Sequence, residues 1–482
     1  MVMLISAACV STAGTSSAQS LVEVLPQLLT QGAVLAQPID AADFTKVDPK
    51  APDRSRSFIP SVTLTSVPST LNAAFGLQLS TSSLGPVAGT VIYSRDGAGR
   101  EMHNMFGGSY IDRGATLGRG KVGLAMTFQN DNYDTFDGVD LPGRGINFLF
   151  ANRGVAPGTS DVLQETVSMR VNRKVTSFVF DFGARDRLDI SAVVPIVQVA
   201  MDVRVAARVV RVRTPIEALQ ACLGGPPPRN AGNGEQLRLC QDVHGYDNVL
   251  TVGNHTTYLD LDIQPVASLT NYGLSGKTAR GVGDIQLRSK LALVNGRAAA
   301  VAATINLSLP TGDPDNFLGT GAYRVTPGIV FSGAAGPVSP HVSAGYTFSH
   351  GSLSSKLQAG SPVTLDLKVP DQIDFGGGVD VAVAPRTTLV ADFFGRSVRD
   401  VQRFATGTTV FASGAPGIPA DVAAGTDLIT AGRSNFTQIL GSIGGRVNLS
   451  GTVFANGSVM FPVLMDGLRP TPTAVFSIDY GF

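Results

Sequence analysis

The chain of 482 residues has no tryptophan, only three cysteines and five histidines, and charged residues make up just 15% of it. Nowhere does it carry a run of about eighteen apolar residues, which rules out a transmembrane helix. A membrane protein with this sequence has to be a barrel. Formal net charge is zero, 37 basic against 37 acidic residues, and there is no basic block of the kind that neutralises phosphates. That excludes nucleic acid as a partner. The histidines form no H-E-x-x-H or His-pair spacing, and "GLSGK" at 273–277 lacks the second glycine of a nucleophile elbow. His341 with a neighbouring serine imitates part of a barrel esterase, but a serine is expected there by composition alone. The expectation is a non-enzyme with no cofactor.

What the chain does have is 55 glycines, 28 prolines and 43% hydrophobic residues, a composition that is neither disordered nor highly charged. The start, "MVMLISAACVSTAGTSSAQS", runs from an apolar stretch into small residues, as in a secretory signal cut after Ala18. Its basic leader is missing, so either the true start lies upstream or this is an ordinary apolar terminus. Cys9 falls in that segment. Cys222 and Cys240 remain, and in an oxidising compartment a bridge between them contributes roughly 3 kcal/mol. Two unpaired thiols is the other reading; no His or Cys cluster accompanies them to make a zinc site.

From about residue 119 onward apolar and polar residues alternate in segment after segment. In "VSPHVSAGYTFS", Val338, Val342, Tyr346 and Phe348 share one face opposite Ser339, His341, Thr347 and Ser349. Segments 283–293, 299–309, 323–332, 386–397, 438–449 and 453–463 behave alike, each near the ten residues that a tilted strand needs to cross a bilayer. Short connections at 183–188, 294–297, 334–337, 384–387 and 448–452 alternate with longer polar ones near 310–321, 351–371, 399–436 and 464–471. A soluble sandwich does not require that asymmetry, whereas bacterial outer-membrane barrels have it, with tight periplasmic turns and long outer loops.

The pattern predicts an all-β, transmembrane antiparallel β-barrel of the cell outer membrane over 119–482, with about twelve strands or alternatively about fourteen. A large outer loop is expected at about 199–280, and the last strand, "TAVFSIDYGF", is expected to pair with the first. In the strand at 163–184 the apolar face switches from Val167, Met169 and Val171 to Phe178, Phe180 and Phe182, which predicts a bulge near Asn172-Arg173.

Residues 19–118 differ. "SLVEVLPQLLTQ" reads as an amphipathic helix with Ser20 and Glu23 spaced as a capping box, and "AAFGLQLS" with "GTVIYS" reads as a hairpin. This segment is either a plug inside the barrel or a periplasmic appendage.

If the apolar faces touch lipid, the opposite faces line the lumen. They carry Asp284, Arg288 and Lys290 on one strand, and Arg324, Asp374, Asp380, Asp392, Arg396 and Arg446 on others. Charges of both signs there can form a selective constriction or pair with one another and fill the interior. Asp131, Asp134, Asp137 and Asp140 cluster around a glycine, either as oxygen ligands for Ca²⁺ or as a solvated acidic loop; the spacing is not that of an EF-hand.

"DRLDISAVVPIV" (186–197), "GVGDIQLRSK" (281–290), "LPTGD" (309–313), "LGTGA" (318–322), "VSPHVSAGYTFS" and "PRTTLVADFFGRSVRD" (385–400) resemble the outer-membrane family named for the meta-pathway of phenol degradation. The resemblance covers most of residues 110–482 and implies a transporter-like barrel for aromatic or other small hydrophobic permeants. Implied partners are outer-membrane lipid and lipopolysaccharide, and the barrel assembly machinery through the C-terminal strand. In style the chain is also distantly similar to long-chain fatty acid channels, which carry an N-terminal plug.

Overall fold

The computed structural model describes residues 20–22, 24, 58–60, 67–82, 88–96, 99–152, 160–213, 249–252, 255–260, 270–296, 298–356, 364–412 and 421–481. The presumed signal, Cys222 and Cys240 lie outside the described residues.

Twelve antiparallel strands close on themselves. They are β1 (Val122–Phe136), β2 (Ser160–Arg185), β3 (Leu188–Arg213), β4 (Thr270–Val282 with Gln286–Asn295), β5 (Ala299–Ser308) and β6 (Tyr323–Gly333). The circuit continues with β7 (Val338–His350), β8 (Gln372–Ala384), β9 (Thr387–Ala412), β10 (Asp421–Asn448), β11 (Val453–Met465) and β12 (Leu468–Pro470 with Thr473–Gly481). Each pairs with its sequence neighbour, and β12 pairs with β1 through Val475↔Gln129 to Gly481↔Gly123. Closure satisfies the edge groups that lipid cannot.

The outward residues are the apolar ones. Phe180, Ile478 and Phe476 are 51%, 63% and 59% exposed, while their strand neighbours Val179, Asp181, Ser477 and Asp479 are buried inside. An exposed apolar girdle of this extent around a closed barrel is a lipid-facing surface. On β1–β4 it ends at a polar outward row: Asn130, Lys174, Gln198 and Arg280 are successive cross-strand partners just beyond Phe128, Thr176, Ile196 and Val282.

Four details differ from the sequence reading. The β2 ladder with β3 runs from Ser160↔Val212 to Gly183↔Asp189 without a shift, so there is no bulge at Asn172-Arg173. Odd-numbered residues of β2 point inward from Val167 to Gly183. Beyond the hydrocarbon the outer face turns polar (Arg170, Asn172, Lys174) while Val167, Met169 and Val171 pack inside, so the apolar face changes sides without a change of register. The bulge lies instead on β4, where Gly283, Asp284 and Ile285 face only Val194 and Pro195 of β3.

The loops expected at about 199–280 and 399–436 are narrower, because β3–β4 pairing reaches Ala207↔Thr270 and β9–β10 pairing reaches Ala412↔Asp421. Those strands continue past the membrane as hairpins. Finally, "AAFGLQLS" belongs to a helix, α1 (Val67–Thr81). Phe75, Leu77 and Leu79 mimic a strand period, but Leu71, Phe75 and Leu79 recur every four residues and are all fully buried. The hairpin is formed one element later, by Ala88–Asp96 with Gly99–Ser109.

Candidate functional site

The lumen is occupied at both ends by the chain's own N-terminal part. At the loop end sits α1, with Phe75 against Phe136 of β1 at a ring separation of 4.8 Å. Its last turn has polar anchors. Gln78 Oε1 accepts from the Leu468 amide (2.6 Å), the Thr81 carbonyl from Arg396 (2.6 Å), and the Ser82 carbonyl from Arg173 (3.3 Å).

At the turn end residues 110–117 cross the interior before the chain enters β1. The Tyr110 ring stacks on Phe394 of β9 at 4.3 Å and 9°, and its amide donates to Asp392 (3.2 Å). Arg113 grips Asp380 of β8 with Nε at 2.9 Å and Nη2 at 2.7 Å. The Gly114 amide donates to Ser332, and the Leu117 amide to Asp189 at 3.0 Å. Two glycines admit this segment: a Cβ on Gly114 would lie 2.5 Å from the Ala300 carbonyl oxygen, and one on Gly376 would lie 2.8 Å from Ile111 Cδ1.

Asp112 accepts from Lys290 (3.2 Å) and Arg288 (3.4 Å) of β4. Burial pushes its carboxyl pKa up. Lys290 and Arg288 outweigh that, together with the Arg113 amide and the Lys290 hydrogen bond, and hold it below the ordinary carboxylate value.

Between the two closures lies a cavity of about 330 Å³, lined by Tyr110, Ile111 and Phe394 on one side and by Asp181, Gln286, Arg288, Lys290, Asn306 and Arg324 on others. A smaller space of about 30 Å³ continues under α1 and shares Gln286, Ser308 and Arg324 with it. Asp181 Oδ2 and Asn306 Oδ1 are buried without a hydrogen-bond partner.

All nine charged residues expected on the lumen side lie on inward-facing positions, but few pair across neighbouring strands as a self-filling interior would. Asp284 accepts from the Gly312 amide, the Thr320 amide and the Thr320 hydroxyl (3.1, 2.8 and 2.7 Å), so it fastens the β5–β6 loop. Asp374 takes Thr347 and Gln372 at 2.5 and 2.7 Å. Arg446 pairs with Asp479 (3.5 Å) and covers the Phe454 ring (4.5 Å). Arg288, Lys290 and Asp380 bind the crossing segment, Asp392 and Arg396 bind the N-terminal backbone, and Arg324 faces the cavity.

The four loop aspartates are not gathered. Asp131 turns into the lumen against Arg173 (3.3 Å), Asp137 accepts from the Gly467 amide and Asp140 from that of Gly143. Among the described residues no group of three acidic, histidine or cysteine side chains is placed to hold a metal. His341 makes no serine dyad: Nε2 lies 2.8 Å from Asp392 Oδ1, and Nδ1 faces the Ser339 carbonyl at 3.4 Å. The residues that sequence reasoning missed are Tyr110, Asp112 and Arg113, since an isolated "YIDR" carries no period.

No family model matches the chain, and no curated protein sequence matches it, so the phenol-degradation resemblance has no matching family model behind it. Among solved structures, the COG4313 outer membrane channel from Pseudomonas putida F1 is similar at 10% identity, over 77% of this chain and 98% of that one, with a TM-score of 0.36. A Pseudomonas aeruginosa FadL homologue is similar at 9% identity, over 75% and 90%, with a TM-score of 0.29. The CymD monoaromatic hydrocarbon channel is similar at 9% identity, over 76% and 89%, with a TM-score of 0.31. Scores this low leave the function of this chain to its own geometry.

Proposed function

We propose that this protein is an outer-membrane channel for small molecules, held shut by its own N-terminal segment. The observation that carries the reading is the chamber of about 330 Å³ between α1 and residues 110–117. Its size suits a small organic molecule. The crossing segment is fastened by hydrogen bonds and ion pairs to lumen walls, contacts that a polar lumen can exchange for water or solute. Tyr110 and Phe394 offer an aromatic face, and the remaining walls offer hydrogen bonds. That lining favours an aromatic permeant bearing polar substituents over a bare hydrocarbon, because hydrocarbon would leave Asp181 and Asn306 unsatisfied.

Single-channel recording in planar bilayers tests it. Gly376→Val, which drives a side chain into Ile111, is expected to unseat the segment and to raise the open probability over the wild type. A barrel that stayed silent with Gly376→Val, and with urea added at sub-denaturing concentration, would be a sealed structural protein.

A further inference from the structure

Arg288 and Lys290 stand two residues apart on the inward face of β4, and Arg324 stands one inward position further out. Arg324 is the cross-strand partner of Ser308, Ser308 that of Gln286, and Gln286 precedes Arg288 by two. Arg288 and Lys290 thus stand roughly 7 Å apart along one strand, and the Arg324 backbone lies one such repeat further out and two strands across, roughly 12 Å from that of Arg288. Their partners differ. Arg288 and Lys290 hold Asp112, a carboxylate that belongs to the crossing segment rather than to the wall, and Lys290 also lies 3.7 Å from the wall carboxylate of Asp189. Arg324 makes no hydrogen bond or ion pair among the described residues, although its side chain lines both the larger and the smaller cavity.

The nearest acidic groups do not change this. The Asp374 carboxylate is engaged by Thr347 and Gln372, and that of Asp284 by the β5–β6 loop. A guanidinium left without an acceptor beside a chamber has its five N–H donors available for one carboxylate.

We infer that the chamber takes a small carboxylate, and that Asp112 is the built-in stand-in for that carboxylate at Arg288 and Lys290. This rests on the channel reading for its consequence but not for its binding claim. A molecule whose carboxylate meets Arg324 can present its ring to Tyr110 and Phe394. From there the carboxylate exchanges with Asp112 one inward position along the wall and two strands across it. Losing Asp112 from Lys290 and Arg288 loosens the chain beside Arg113, so ligand arrival and unlatching are one competition for two cations. No covalent step is involved.

Benzoate and its neutral analogue benzyl alcohol separate charge from shape. Calorimetry on the detergent-solubilised full chain is expected to show benzoate binding about tenfold tighter to Asp112→Asn than to wild type, because the competitor is gone. Arg324→Gln should bind benzoate about tenfold more weakly, and Arg324→Lys should recover most of that loss. Benzyl alcohol should be indifferent to all three. Trypsin cleavage after Arg113 should accelerate with benzoate and not with benzyl alcohol. Equal affinity of benzoate for wild type, Asp112→Asn and Arg324→Gln, each checked for a folded barrel by heat-modifiable mobility, would overturn the inference. So would equal binding of the two probes. Binding with these signatures but no conductance in any variant would instead remove the channel reading and leave a binding barrel.

Discussion

Arg113 reaches Asp380 from outside the sheet, and both side chains are almost wholly buried, at 3% and 2% exposure. Taking one partner from such a pair leaves an uncompensated charge and costs roughly 3–5 kcal/mol, whereas replacing both with apolar groups is close to neutral. Arg113→Met should therefore loosen the crossing segment by about that amount, and Arg113→Met with Asp380→Leu should restore most of it. Hydrogen exchange at the Gly114 and Leu117 amides, which donate to Ser332 and Asp189, reads the effect directly. Equal protection in the single and the double variant would mean that the ion pair does not latch the segment. The Asp380 half of this pair was legible, because strand alternation placed it on the wet face. Its partner was not: a single arginine between Asp112 and Gly114 has no periodicity, and only the closed barrel brings it across 267 positions of sequence.

Strand β2 shows what alternation encodes and where it misleads. Its two-residue period is unbroken from Val167 to Gly183, but the environment on each side changes partway along. Near the turn end the outward residues meet hydrocarbon and are phenylalanines. Further out they meet water and headgroups and are Arg170, Asn172 and Lys174, while the inward residues, packed within the barrel's outer part, become Val167, Met169 and Val171. A hydrophobicity pattern records environment, not direction, so the exchange looked like a bulge. The same ambiguity hid α1, whose Phe75, Leu77 and Leu79 satisfy two periods over a short window. The boundary is testable. Phe180→Arg, central to the phenylalanine trio, should destabilise the folded barrel by roughly 2–4 kcal/mol, and Asn172→Arg, beyond the boundary, by about 0–1 kcal/mol. Urea unfolding in phospholipid vesicles checks both; equal costs would mean that lipid does not end between Phe178 and Lys174.

At the scale of the whole molecule, the parity of short and long connections made the strand count even and placed it at about twelve, with fourteen as the alternative, because each short turn returns the chain to the same rim. That parity is a long-range constraint written in local residues, which is why a twelve-strand closure was legible while the route of the N-terminal segment was not. Where residues 110–117 dock depends on which wall positions are glycine and which are acidic, and those positions become neighbours only after closure. The seam carries the whole arrangement, since β1 follows directly from the crossing segment and is the strand that β12 must find. Its register is specific: Ile478 faces Met126, and Tyr480 faces Leu124. Both pairs point outward, so a slip of one residue would turn Phe476, Ile478 and Tyr480 into the lumen and Asp479 into lipid. With Cys9, Cys222 and Cys240 replaced by serine, Met126→Cys with Ile478→Cys should couple through a short bifunctional thiol reagent within one chain. The denatured product, closed over most of its length, should migrate faster than the linear chain. Phe182→Cys with Ile478→Cys places its thiols on strands that do not adjoin and should not couple. Coupling of the second pair but not the first would place a different strand at the seam, and with it the latch of residues 110–117 would lose its wall.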